Sequence, residues 1–327
     1  MKRGWITWDH TELPPAVFQE RLGQVRKLLS DQNLPALVVY SDVCRSNQGR
    51  HLANFMPYWN RALLVVPAHE PPILICALSP RVYPWIRSVT ILEDIRPGAN
   101  LLKQLRQVAD DHQWQKIGIL DFAGLPQDLF ASFPKTGLEA VDIPGGALSG
   151  LTPDEWELSM RRTAANLARR ILAEELPQGT GRRDFDLAGR LEQRFRGAGV
   201  EDLVILITNG DTAPLPAKGV VLGENYSVTL GVEYRGHWIR LSRAQTSAAL
   251  SATLRKSFER LLEDLNAASD TPVYVENLSG PYPYQSVARS EVARGSTFAL
   301  HVESRENQQR LFYGDTCFYS EAGPRPL

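Results

Sequence analysis

Arg240 and Arg243 stand three residues apart in a largely apolar stretch. Two guanidiniums in one pocket suit a carboxylate or a phosphate, because each planar fork donates parallel hydrogen bonds. The competing reading is structural: Arg243 pairs with Glu233 or another acid and holds a sheet together. Further along, His301 and Glu303 flank Val302 in a strand pattern, which puts both side chains on one face. Such a pair can do acid–base work near neutral pH, or it can be a hydrogen-bonded histidine beside a solvated glutamate. Asp315 and Cys317 share a face in the same way, but no partner marks Cys317 as a nucleophile, so it reads as a small hydrophobe. His237 beside Trp238 reads as packing. The stretch 42–61 collects Arg45, Arg50, His51, Asn54, Trp59 and Arg61. Arg and Trp anchor interfaces, so this stretch is either a ligand or subunit contact or a solvated loop. Residues 280–284, Gly-Pro-Tyr-Pro-Tyr, read as a stiff turn or a partner-binding lip.

These residues need a frame to hold them. Val17, Leu22, Val25, Leu28 and Leu29 recur at helical spacing, and ALVVYS at 36–41 has the near-continuous apolar character of a buried strand. Similar runs at 62–67, 72–77, 89–92 and 116–122 predict further strands, with helices near 99–113 and 125–133 between them. This is the pattern of an α/β domain. The Gly- and Pro-rich stretch 143–153 reads as a linker, dividing the chain into domains 1–147 and 148–327. The second half opens on Thr152, Pro153 and Glu155, which read as a capping box with Pro at the first helical position. A long helix follows, with Trp156, Met160, Ala164, Leu167 and Ile171 on one face and Gly179 at its stop. A helix at about 184–196, strands at 203–208, 226–234 and 237–242, a helix at about 247–266, and strands near 272–276, 297–302 and 311–319 complete an α+β domain.

Composition narrows the partners. The 36 basic residues balance 37 acidic ones, leaving no electrostatic footprint for nucleic acid or an anionic membrane. No apolar run approaches the roughly 18 residues of a membrane span, and the N-terminal stretch has no signal-peptide pattern. Cys44, Cys76 and Cys317 show neither disulfide nor metal-ligand spacing, so a reducing cytoplasm is the expected compartment.

Several segments, in order, resemble the pita-bread family of Xaa-Pro peptidases, methionine aminopeptidases and creatinase. Residues 50–55 and 60–67 resemble its YLTGF segment and the strand after it. Leu176 to Thr180 resembles its PGxT turn. Gly231, Glu233, Tyr234, Arg235, Gly236, Trp238 and Arg243 follow a pattern that usually reads D-x-G-x-x-Y-x-G-Y-x-x-D-x-x-R, and 294–298 and Asp315-Thr316 resemble its last strands. The resemblance implies a creatinase-like α/β domain followed by an α+β pita-bread domain, and a homodimer.

It also implies a site, and here the site reads as emptied. Family peptidases hold two divalent ions with two Asp, one His and two Glu, and a bridging hydroxide attacks the peptide. Matched by position, those five fall on Thr229, Arg240, the neighbourhood of Pro281, His301 and Gly314. None is the expected ligand, and a guanidinium repels a metal. No Asp or Glu lies between Glu233 and Glu259, so no nearby residue substitutes for the second Asp. The loop 209–218 lacks the histidine that a metal-free creatinase mechanism uses. The expectation is a non-catalytic protein without a metal or other cofactor, binding a small anionic ligand or a protein partner through Thr229, Arg240, Arg243 and Arg61. The alternative is a metal-independent hydrolase of an amide or amidine, rebuilt around Arg240, Arg243, His301 and Glu303. Whether the old cleft is filled or open turns on Arg240: a direct pair with Glu233 or Glu303 makes it a filled scar, and otherwise an anion or a partner's carboxylate must sit there.

Overall fold

The computed structural model describes residues 7–58, 60–149, 153–269, 272–278, 287–306 and 308–327. They form two compact units, on either side of residues 150–152. The run 280–284, Pro281 within it, and Trp59 lie outside the described residues.

The N-terminal unit runs α1 (Pro15–Asp31), β1 (Ala36–Ser41), α2 (Asn47–Ala53), β2 (Ala62–Pro67), β3 (Ile73–Cys76), α3 (Tyr83–Val89), β4 (Asp94–Pro97), α4 (Leu101–Asp111), β5 (Lys116–Leu120), α5 (Gln127–Ser132), β6 (Glu139–Ile143) and α6 (Gly146–Ser149). Its strands form one sheet in the order β4-β3-β2-β1-β5-β6. β2 is antiparallel to both neighbours, while β3–β4 and β1–β5–β6 pair in parallel. β1 and β2 are buried along their whole length, as their unbroken apolar sequences require. Alternation sends Leu37, Val39, Leu64 and Val66 to one core and Val38, Tyr40, Leu63 and Val65 to the other. The segment 89–92 is not the expected strand. Pro84 starts α3, Ile86 and Val89 bury one face of it, and the chain becomes extended only at Asp94.

The C-terminal unit runs α7 (Glu155–Glu175), α8 (Asp184–Gly197), β7 (Asp202–Asn209), β8 (Tyr226–Tyr234), β9 (His237–Gln245), α9 (Ala248–Glu263), β10 (Val273–Asn277), β11 (Thr297–Glu306), β12 (Gln309–Ser320) and β13 (Gly323–Pro326). The sheet order is β10-β11-β12-β9-β8-β7, with β13 on β12. One face is apolar: Val228, Leu230, Val232, Ile239 and Leu241 pack with α7 and α8, and Val275, Phe298, Leu300 and Val302 pack with α9.

Three local expectations change. The N-cap of α7 is Asp154, whose carboxylate accepts the Glu157 N–H at 2.7 Å, so Pro153 precedes the helix, and Thr152 lies outside the described residues. Trp156 is 37% exposed and lies outside the buried stripe. Gly179 does not stop α7 in a left-handed conformation, because its φ is −84°. It is small because Tyr226 packs on it: a Cβ there would lie 3.0 Å from the tyrosine Cζ. No helix among the described residues is long and apolar enough to cross a membrane.

Candidate functional site

The other face of the C-terminal sheet is polar, and strand register fixes who meets whom on it. Thr229 on β8 lies opposite Ser242 on β9, Ser242 opposite Gly314 on β12, and Gly314 opposite His301 on β11. Three of the five matched positions thus fall in one row across four strands. Arg240 sits two residues from Ser242 on the same face, opposite Gly231. Four of the five matched positions therefore lie together on this face, and the fifth, near Pro281, lies outside the described residues.

Side chains of this chain fill that place. Thr229 Oγ1 and Ser242 Oγ are 2.8 Å apart, and Ser242 Oγ is 2.9 Å from His301 Nδ1. The His301 ring lies over Gly314: a Cβ at 314 would be 2.6 Å from its Cγ. Arg240 is fully buried, stacked 5.2 Å from the Trp238 ring, with its Nη1 3.1 Å from where a Cβ on Gly231 would be. The Thr316 hydroxyl accepts the Arg240 N–H at 2.7 Å and donates to its carbonyl at 2.8 Å, bridging β9 and β12 through a side chain.

A carboxylate that the sequence reading did not name lies beside Arg240. It is Glu276 on β10, with Oε2 3.7 Å from Nε, and it is 1% exposed. Register explains the meeting, since Glu276 pairs with Ala299 and Ala299 with Thr316. Sequence reasoning passed over Glu276 because strand parity shows its face only once the register across β11 and β12 is known.

The remaining residues separate. Arg243 is an odd number of positions from Arg240 and points to the opposite face. There its Nη2 meets Asp315 at 2.8 Å and its Nη1 donates to the Gly314 carbonyl at 2.6 Å, with Tyr313 beneath it. Arg169 takes the same Asp315 with two hydrogen bonds of 3.0 and 2.9 Å. Cys317 is fully buried, and burial raises its thiol pKa. Glu303 shares a face with His301 but is engaged elsewhere: Arg305 and Arg310 donate to it at 2.5 and 2.6 Å, and the Tyr274 hydroxyl at 2.5 Å. Burial raises its pKa, but the bonds from Arg310, Arg305 and Tyr274 outweigh that and hold it below the usual 4.5. Arg61 is in the N-terminal unit, with Nη1 2.5 Å from Asp128 Oδ2.

This arrangement does not fit a divalent metal. A guanidinium occupies one ligand position, an imidazole covers another, and no three His, Cys, Asp or Glu side chains converge on a common point among the described residues. Ser242, His301 and Glu276 do follow the order of a hydroxyl, a base and an acid, with His301 Nε2 4.0 Å from Glu276 Oε1. Yet burial, together with Arg240 and Arg243, pushes His301 down from 6.5 to about 3. Such an imidazole is a weak base, and all three side chains are sealed from solvent.

The two sheets, their register and the matched row define the pita-bread fold of the Xaa-Pro peptidases. Solved structures similar to this chain include an X-Pro aminopeptidase from Thermotoga maritima, at 13% identity and a TM-score of 0.77, covering 93% of this chain and 96% of that one. A prolidase from Pyrococcus horikoshii, at 10% identity and a TM-score of 0.73, covers 94% and 97%. An Xaa-Pro dipeptidase from Bacillus anthracis, at 14% identity and a TM-score of 0.72, also covers 94% and 97%. No family sequence model matches the chain, and no curated protein matches it by sequence.

Proposed function

We propose that this protein is a non-catalytic member of the pita-bread fold that binds a small anionic ligand or a protein partner, acting as a homodimer in the cytoplasm. The observation that carries the reading is the filled row. Arg240 with Glu276, and His301 over Gly314, stand where a metal cage would need carboxylates. Without a metal hydroxide or a titrating base, the site has no means of generating a nucleophile. The three unpaired thiols suit a reducing compartment. Purified protein should contain no stoichiometric Mn, Co, Zn or Fe, and added Mn²⁺ should leave its melting temperature unchanged. It should turn over neither Xaa-Pro dipeptides, nor aminopeptidase P substrates, nor creatine above background. One or two ions per chain, or metal-dependent turnover, would overturn this reading.

The second reading, a metal-independent amide or amidine hydrolase, is favoured by one observation, the Ser242–His301 hydrogen bond. It requires turnover that survives a chelator and vanishes in Ser242→Ala and His301→Ala.

A further inference from the structure

Arg240 and Arg243 are both spent on internal carboxylates, so an anionic ligand needs another home. The N-terminal unit has a cleft of about 940 Å³ where the carboxyl ends of β3 and β4 face α4 and α5. That volume lies within the usual range for small-molecule sites, and open α/β sheets bind ligands in the crevice beyond the carboxyl ends of their strands. On its wall, Gly98 lets the chain pass close to β3 as it leaves β4 for α4. A Cβ there would lie 2.8 Å from the Cys76 backbone carbon and from the Leu101 side chain.

The charges on its walls are unequal. Arg61, Lys103, Arg106 and Lys135 face two acids, Asp110 and Asp128. Each acid is engaged by an arginine: Arg61 holds Asp128 and Arg106 holds Asp110. The Lys103 and Lys135 ammonium groups, on α4 and in the turn after α5, make no hydrogen bond or ion pair among the described residues. The Arg61–Asp128 pair is exposed, 43% and 60% at the two side chains, so it is weak and open to exchange with a stronger anion. Leu101 and Leu129 add apolar wall beside the charges.

We infer that this cleft is the protein's anion site and takes a small molecule carrying two adjacent negative charges, a phosphate ester or a dicarboxylate. Lys103 and Lys135 meet its charges, and Arg61 exchanges Asp128 for it. The inference rests on the proposed function only for the ligand being an anion, and it holds whether or not the C-terminal unit is catalytic.

The test is calorimetric titration of the full chain with pyrophosphate and, separately, malonate. One of the two should bind at one per chain and weaken as salt is raised. Pyrophosphate binding assigns the phosphate esters, and malonate binding assigns the dicarboxylates. The double substitution K103E/K135E should weaken binding by roughly tenfold or more, because it reverses two charges on the cleft walls. K256E, on an exposed position of α9, should not. An unliganded melting temperature equal to the parent's shows that the double variant folds. Equal binding by K103E/K135E and parent overturns the inference, as does the absence of saturable binding of both probes. Xaa-Pro peptidase turnover would overturn the non-catalytic reading while leaving this result standing.

Discussion

Arg240 and Glu276 show why a buried ion pair is weak evidence of a ligand site. Each charge alone would be costly in the interior. Together, with Trp238 beneath the guanidinium, they close the position from within. The sequence showed that Arg240 needs an acid but not which one. Glu276 lies 36 residues further on, and only the register of the two intervening strands, β12 and β11, brings it close. His301 carries the pH consequence. Burial and the two guanidiniums depress its pKa from 6.5 to about 3. The unfolded chain takes up this proton below about 6.5, whereas the folded chain does not until about 3. Stability is therefore full above 6.5 and falls as the pH drops through that window, by at most about 1.4 kcal/mol per pH unit. Glu303, whose pKa is depressed, adds its own loss only as the pH falls below about 4.5. Between pH 6.5 and 4.5, His301→Gln should lose stability on acidification less steeply than the parent, measured by urea denaturation. Equal slopes would rule out a buried neutral imidazole.

At the scale of elements, parity decides most of what the site can be. Residues three apart on a strand face opposite ways, so Arg240 and Arg243 could never have formed one pocket on a regular β9. Their spacing carried that parity, and reading them as one pocket overlooked it. The strands themselves were legible, because runs such as ALVVYS and YSVTLGVEY are too apolar and β-branched for anything else. What escaped were short elements without a strong pattern: α2, α3 and the half-exposed β6. The fit between β11 and β12 gives the test at this scale. Gly314→Ala would press a methyl into the His301 ring, and should cost about 1–3 kcal/mol of stability, as overpacking does. Paired with His301→Ala, the same change should cost less than the sum of the two single substitutions. Additive losses in denaturant titrations would mean that the two residues do not press on each other.

For the whole molecule, two units with separate cores were readable from the sequence, since an α/β pattern gives way to an α+β one near a Gly- and Pro-rich stretch. The likeness to Xaa-Pro peptidase structures spans both units at 13% identity or thereabouts. A fold survives at such low identity because a core tolerates most apolar exchanges, whereas a metal cage tolerates almost none. The proposed homodimer is checked by sedimentation equilibrium, which should give twice the chain mass. A single-chain mass at all concentrations tested would exclude it.

The ring of His301 lying over Gly314 also imposes an order on change. A glutamate at 314 cannot be accommodated until residue 301 has become smaller or turned away, because the space for its first carbon is already taken. A carboxylate at 240 would stand beside Glu276 with no cation between them, until a metal arrived to separate the charges. Any path from this chain to a dinuclear cage passes through intermediates that are strained or carry uncompensated buried charge. On the proposed reading, loss of a metal site is therefore easy to make and hard to undo, and a single ligand introduced here would yield a destabilised protein before it yielded a hydrolase.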